Sequence, residues 1–376
     1  MKDFLTHFQP GSWAAPLNQE LMNHLCQNPL EAMNPSNPIE SVVRIGQELT
    51  IQNFNFSINN GAKNCSFDVF PGWRMLMYAP IYVSSFCVNH CLYCGFHVQD
   101  KIERTKLTVQ ETLNECQALF DHQYRNILIV AGESDYHVPI SYLAEIIEKL
   151  CERNAVPSIE IAPQSVDNYA ILVNAGCSGI TLFQETYDEQ LYPVYHPKGP
   201  KSNFLWRYNS QRRAAEAGMK RLGFGFLVGL AEPVNELKKM IEQAKEVQTD
   251  FPNSKISFGL PRIREAPDHF QIKFSVEDET FLRMYIALRC AFPEAELVTS
   301  TREMPRFRDQ LLSTCITWVS AGSSTRPGGY IVENGLSPLD GFDPALSLAS
   351  QFPITDHRSV KEVAQAVIEM NHQIAW

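Results

Sequence analysis

No stretch of the 376-residue sequence approaches the roughly 18 consecutive apolar residues of a membrane-spanning helix. The first residues, Met1-Lys2-Asp3-Phe4-Leu5-Thr6-His7, lack the basic-then-apolar layout of a secretory leader. Positive charge is also scarce: 32 Lys and Arg against 42 Asp and Glu leave a formal net charge of −10, with no Lys/Arg-rich run. These absences argue against a membrane or nucleic-acid partner and predict a cytoplasmic protein. Cysteine is too sparse, at ten residues, for a disulfide-stapled fold. Seven of the ten (Cys26, Cys65, Cys116, Cys151, Cys177, Cys290 and Cys315) stand alone and are expected to be small buried hydrophobes in a reducing compartment. Apolar residues make up 44% of the chain, with 22 Phe, 13 Tyr and 5 Trp, so a large core is available and disorder is not expected.

Residues 1–70 carry Pro10, Pro16, Pro29, Pro35 and Pro38 between short helical patterns such as Ile39 to Gln47, which predicts an extension wrapped on a larger body. From Met75 short apolar runs alternate with polar helical stretches, the βα rhythm of a parallel sheet. Eight strands are predicted: Pro80–Phe86, Asn126–Val130, Ser158–Pro163, Gly179–Phe183, Arg221–Val228, Lys255–Gly259, Glu296–Ser300 and Cys315–Ser320. Helical patterns lie between them, among them Gln110–Phe120, Ile140–Arg153, Ser210–Ala217, Val234–Gln248 and Glu279–Phe292, and Asn154 sits where a helix should stop. The expectation is an α/β fold, a closed (β/α)8 TIM-type barrel over residues 71–330, with residues 331–376 as a C-terminal cap. In such a barrel the chemistry lies just past the C-terminal ends of the strands.

Directly after the first predicted strand comes Cys87-Val88-Asn89-His90-Cys91-Leu92-Tyr93-Cys94. Structural zinc wants four ligands and no second CxxC exists, so His90 or His97 would have to complete such a site. A cubane iron–sulfur cluster held by three thiolates instead leaves one iron open to an exogenous ligand. In this the chain resembles the radical S-adenosylmethionine (radical SAM) superfamily, whose CxxxCxxC loop follows the first barrel strand with an aromatic, here Tyr93, before the last cysteine. The resemblance implies a [4Fe–4S] cluster on Cys87, Cys91 and Cys94, and S-adenosylmethionine (SAM) as cofactor. It further implies that Gly132 and Glu133 of Ala131-Gly132-Glu133 hold the SAM amine and that Arg207 grips its carboxylate, a group a guanidinium can bind bidentately. Gly225, Leu227 and Gly229 reproduce the GxIxGxxE strand whose glycines let the adenine approach. Glu160, alternating with Ile159 and Ile161, is placed at the barrel mouth as a ribose contact. Gln184-Glu185-Thr186 holds an equivalent position, and which of the three faces the cavity stays open.

Within the superfamily the chain is most similar to the aromatic-amino-acid lyases, above all the 2-iminoacetate synthases, the tyrosine lyases of thiamine thiazole biosynthesis. The resemblance covers roughly residues 75–357. It rests on Ala79-Pro80-Ile81-Tyr82, Cys94-Gly95-Phe96, Gln184-Glu185-Thr186-Tyr187, His196-Pro197-Lys198-Gly199-Pro200-Lys201, Leu260-Pro261-Arg262-Ile263-Arg264, Ser300-Thr301-Arg302-Glu303, Ser320-Ala321-Gly322-Ser323 and Pro327-Gly328-Gly329-Tyr330. It implies cleavage of the Cα–Cβ bond of L-tyrosine to dehydroglycine and p-cresol, with Arg302 clamping the substrate carboxylate and Ser320 and Tyr82 at its amine. His196, Lys198 and Lys201 read as a solvated loop, and Arg302 has Glu303 as an alternative ion-pair partner. Two departures bear on the aromatic specificity: Ser134 stands where the family has His, and Glu265 where it has Pro. No cysteine follows Cys315, so the thiolates a second cluster would need, as in the hydrogenase-maturation tyrosine lyases, are missing. A tryptophan lyase and a noncatalytic partner of thiazole synthase remain alternatives. The implied partners are an amino-acid substrate, flavodoxin or ferredoxin as reductant, and thiazole synthase.

Overall fold

The run Ile127-Leu128-Ile129-Val130 is apolar at every position, which suits a strand buried on both faces of a parallel sheet. In the computed structural model, which describes residues 4–54, 70–264, 270–331, 337–341 and 350–376, it forms part of a closed barrel. The strands are β1 (Arg74–Ser84), β2 (Asn126–Ala131), β3 (Val156–Glu160), β4 (Gly179–Thr181), β5 (Arg221–Gly225), β6 (Lys255–Gly259), β7 (Glu296–Thr299) and β8 (Trp318–Val319). Each pairs in parallel with the next, β8 pairs with β1, and β1 pairs with β2. This is the expected eight-stranded barrel.

Helices occupy the intervals, and their ends are specified locally. Thr108 and Glu111 form a reciprocal capping box on the helix Val109–Asp121. Asn154, just past the helix Ile140–Glu152, takes the left-handed backbone (φ 59°) that asparagine tolerates. The N-terminal helix Ile39–Phe54 and the 3₁₀ turn Pro29–Met33 pack on the barrel helix Asp278–Ala291. Arg283 fixes that seat by donating to the carbonyls of Ala32 and Asn37, each at 3.0 Å. Among the isolated cysteines, Cys116, Cys177, Cys290 and Cys315 are buried as expected. Cys26 is exposed and Cys151 half-buried. Cys65 lies outside the described residues.

The two ends of the barrel differ from the sequence reading. β1 begins at Arg74, six residues before its expected start, and β8 is only two residues long. A ninth strand, β9 (Gln373–Ala375), pairs with Arg74–Leu76 on the edge that β8 is too short to fill. The alternation rule missed β9 because three residues are too few to show a period.

The tail also reaches the upper face. Arg308 is fully buried and donates to Asp356 at 2.7 Å and to the carbonyl of Ser320. Asp356 in turn takes a 2.7 Å bond from Arg358, and its own N–H and that of Thr355 bond the Thr301 carbonyl. Burial alone would raise the Asp356 carboxyl, but Arg358 and Arg308 hold it down at about 2. Removing one member of a buried pair typically costs about 3–5 kcal/mol, so Asp356→Asn should lower the free energy of unfolding, read from denaturant titration, by that much at neutral pH. Because the folded pKa lies below the unfolded one, this contribution is complete above about pH 4 and fades as pH falls through about 2. The stability gap between wild type and Asp356→Asn should therefore narrow by about 2 kcal/mol over that window; a constant gap would place the effect elsewhere.

Candidate active site

The loop after β1 presents Cys87, Cys91 and Cys94 to one cavity of about 590 Å³. Its path is pinned from several sides: Val88 N–H donates to Glu133 O (2.9 Å), Leu92 N–H to Tyr195 O (3.2 Å), and Gly95 N–H to Gln351 O (3.1 Å). Gly132 has to be glycine here, since a Cβ would stand 2.4 Å from the Phe86 carbonyl oxygen. All three cysteines are free thiols. Burial, reinforced by the other two sulfurs, pushes Cys94 up to about 12, and burial pushes Cys91 to about 11. Among the described residues, no three His, Cys, Asp or Glu side chains converge on a single-ion position. That geometry disfavours a zinc site, whereas a cubane suits it because each thiolate bonds a different iron.

The same cavity is lined by Gly132, Glu133, Glu160 and Arg207, so four residues expected to contact SAM lie around the three thiols. Asn89 donates to Glu133 at 2.6 Å. Arg207 is buried, donating to the Phe183 carbonyl (2.7 Å) and to Glu185 (3.2 Å). Lys201 donates to the same Glu185 oxygen at 2.7 Å. Of Gln184, Glu185 and Thr186, it is Glu185 that faces the cavity, aimed by an uncommon left-handed backbone (φ 73°), while Thr186 bonds Glu236. Two cations share one carboxylate, so the Lys201–Arg207–Glu185 cluster has one cation in excess that an anionic ligand group could meet, while Glu133 offers a carboxylate on the same lining.

Two participants were misread in the sequence. Lys201 is a cation with its side chain only 13% exposed rather than a loop residue in water, although Lys198 is exposed as expected. The signal was the pair of prolines around Gly199 (φ 97°), which make a rigid loop that lays Lys201 N–H on Asn89 Oδ1 (2.9 Å). His196 is completely buried, and burial and Lys201 lower it to about 3, so it is neutral. Its Nδ1 faces the Tyr192 carbonyl (2.8 Å), which only accepts, so Nε2 accepts from the Tyr93 hydroxyl (2.8 Å). Tyr93 thus stands behind the cysteines with Leu227 and Tyr195, not on the lining of the thiol cavity. Gly225 is also set back from that lining, and a Cβ there would collide with the Phe183 ring at 2.3 Å. Gly229 (φ 122°) lies beyond it.

A second cavity, of about 690 Å³, shares Val130, Glu160 and Phe183 with the first and is lined by Tyr82, Arg302, Ser320 and Ser323. Glu303 does not pair with Arg302; it is held by Arg262 and Arg264. Among the described residues Arg302 has no carboxylate partner, and its guanidinium lies 3.8 Å over the Phe352 ring. Ser320 and Ser323 are 1% and 2% exposed, and the Ser323 hydroxyl is buried with no hydrogen-bond partner. Glu160, at the wall between the cavities, is raised to about 7 by burial and by Glu185 despite Arg302. Below it the cavity continues into a hollow lined by Tyr78, Leu128, Phe224, Trp318, Ser257 and Arg221, with space left by Gly223 and Gly259. Ser134 lines neither cavity: it bonds His137 (2.9 Å), whose ring stacks on Phe86 at 3.7 Å. Glu265 lies outside the described residues.

Residues 81–244 match the radical SAM superfamily and residues 259–373 the biotin and thiamin synthesis associated domain. The chain is 30% identical over 371 residues to the 2-iminoacetate synthase of Salmonella typhimurium, covering 97% of this chain and 91% of the relative. It is 30% identical over 339 residues to that of Escherichia coli, covering 90% and 82%. The X-ray structure of the FeFe-hydrogenase maturase HydG from Carboxydothermus hydrogenoformans superposes with a TM-score of 0.79 at 26% identity, covering 95% of this chain and 80% of that one. With the barrel, the three-thiol cavity and the strand-end motifs agreeing, the chain belongs to the radical SAM superfamily, in the aromatic-amino-acid lyase family of the 2-iminoacetate synthases, and is a radical SAM carbon–carbon lyase.

Proposed function

We propose that this lyase cleaves the Cα–Cβ bond of L-tyrosine to dehydroglycine (2-iminoacetate) and p-cresol for thiamine thiazole biosynthesis. The observation that carries this reading is Arg302, a guanidinium without a carboxylate partner among the described residues, set in a cavity whose wall is shared with the thiol site. An amino-acid carboxylate supplies the missing anion. Tyr82 and Ser320 offer oxygens to the amine, and the hollow below Glu160 offers an apolar wall with polar groups at its floor, as a phenol ring requires. The names of the two bacterial relatives support tyrosine as substrate.

Cys87, Cys91 and Cys94 would hold a [4Fe–4S] cluster and leave one iron for SAM; together these groups supply an electron and a primary carbon radical. The chain's own work is to orient and exclude. Glu133, fixed by Asn89, would take the SAM amine, and the Arg207–Lys201 pair its carboxylate, with Glu185 bridging the two cations and offsetting their mutual repulsion. Glu160 stands where a ribose hydroxyl would meet it. Arg302 and its neighbours would then present a single face of the substrate, so that one hydrogen is removed.

Anaerobically loaded wild type should bind about four irons, the content of one cubane. Cys87→Ala, Cys91→Ala and Cys94→Ala should each lose most of the iron and the visible charge-transfer absorbance; full retention in all three would reject the ligand set. Glu133→Ala and Arg207→Ala should keep iron but weaken SAM binding at least tenfold, or about 1.4 kcal/mol; unchanged affinity in both would remove their assigned roles.

Incubation of the loaded enzyme with SAM, dithionite and tyrosine should release p-cresol. In Arg302→Ala the substrate carboxylate has no cation, a loss of roughly 3–5 kcal/mol, so tyrosine turnover should vanish while slow uncoupled SAM cleavage persists. Products from tryptophan and none from tyrosine would replace the substrate but spare the lyase.

A further inference from the structure

Gln351 joins the two cavities through hydrogen bonds that the reaction roles above do not use. Its Oε1 accepts from the Tyr82 hydroxyl at 2.7 Å, and its Nε2 donates toward Cys94 Sγ at 3.9 Å. The orientation of the amide follows from chemistry: a metal-bound thiolate only accepts, so the nitrogen faces sulfur and the oxygen is left for the phenol. The backbone is fixed as firmly. Gly95 N–H donates to Gln351 O (3.1 Å), and Gln351 N–H donates to Thr325 O (3.0 Å). A Cβ at Gly95 would lie 2.5 Å from the Ser350 carbonyl oxygen, so the cluster loop has been cut back to let this segment in. The next residue, Phe352, carries the Arg302 guanidinium on its ring, and Thr325 Oγ1 holds the Phe352 carbonyl at 2.8 Å.

We infer that Gln351 is a positioning residue that couples the occupied amino-acid cavity to the electronic state of the cluster. The inference rests on the reading that Cys94 is a cluster ligand. An N–H aimed at a cluster sulfur favours the more negative, reduced state and so raises the reduction potential. Tyr82 holds the far end of the same amide and lines the amino-acid cavity. A substrate that engages the Tyr82 hydroxyl or moves Arg302 and Phe352 changes how firmly that N–H is held against sulfur. Electron entry then answers to substrate through one side chain.

The test uses full-length, anaerobically loaded enzyme. Iron content, cluster midpoint potential and the electron paramagnetic resonance spectrum of the reduced cluster are measured with and without tyrosine. Gln351→Glu keeps an acceptor for Tyr82 but removes the N–H and adds a charge; Gln351→Ala removes both bonds. With iron uptake equal to wild type, both variants should show a lower midpoint potential, Gln351→Glu the lower of the two. Tyrosine should alter the wild-type spectrum, and that change should disappear in Gln351→Ala. An unchanged or higher potential in iron-replete Gln351→Glu and Gln351→Ala would overturn the inference while leaving the cluster in place. Wild-type protein that takes up no iron would overturn the cluster reading and this inference together.

Discussion

The buried ion pair between Arg308 and Asp356 is the constraint on which the mouth of the barrel depends. It ties the tail to the helix after β7, and Arg308 also holds the carbonyl of Ser320 at the end of β8. Asp356 and Thr355 place their N–H groups on Thr301, the residue before Arg302. One pair thus sets Arg302, Ser320 and the segment carrying Gln351 and Phe352 relative to one another. Desolvation makes such a pair costly on its own, and Arg358 and the backbone contacts offset that cost by satisfying the remaining carboxylate sites. The gain is registry between two strand ends and a distant tail.

The electrostatics of the mouth are unbalanced by design of the side chains present. Lys201 and Arg207 share Glu185, and Arg302 faces its cavity without a carboxylate among the described residues. Each cavity therefore presents a cation in a setting where water screens little, Lys201 and Arg207 alongside Glu133 and Glu185 in the thiol cavity and Arg302 in the second. Glu160 sits between them with its carboxyl raised to about 7 by burial and by Glu185, so at neutral pH it commits no full negative charge to either side.

The barrel and the thiol loop were legible in the sequence because their signals are local. Apolar runs such as Asn126–Val130 and the spacing of Cys87, Cys91 and Cys94 need no knowledge of distant residues. Arg302, Ser320 and Tyr82 could be placed in one cavity because strand ends of a barrel converge. What escaped was anything made by residues far apart in the chain: the choice of Glu185 over Gln184, the withdrawal of Lys201 and His196 from water, and the reach of Gln351 across to Cys94. Ser134 was legible as a departure but not as to its place, since only the fold shows it turned toward His137 and away from the amino-acid cavity. β9 failed for a related reason: its pairing joins Arg74–Leu76 to Gln373–Ala375, near the far end of the sequence.

That last pairing has a consequence for how the molecule is made. β1 is the first barrel strand, yet its opening residues have their ladder completed by Gln373–Ala375. The roof over the thiol loop also comes from the tail, through Gly95 and Gln351. Contacts of such sequence separation form late, because the intervening loop must be closed before they return any stability. A partly made chain can therefore expose three adjacent thiols before it has anything to cover them. The order in which the chain closes therefore bears on the state in which the three thiols come to be covered.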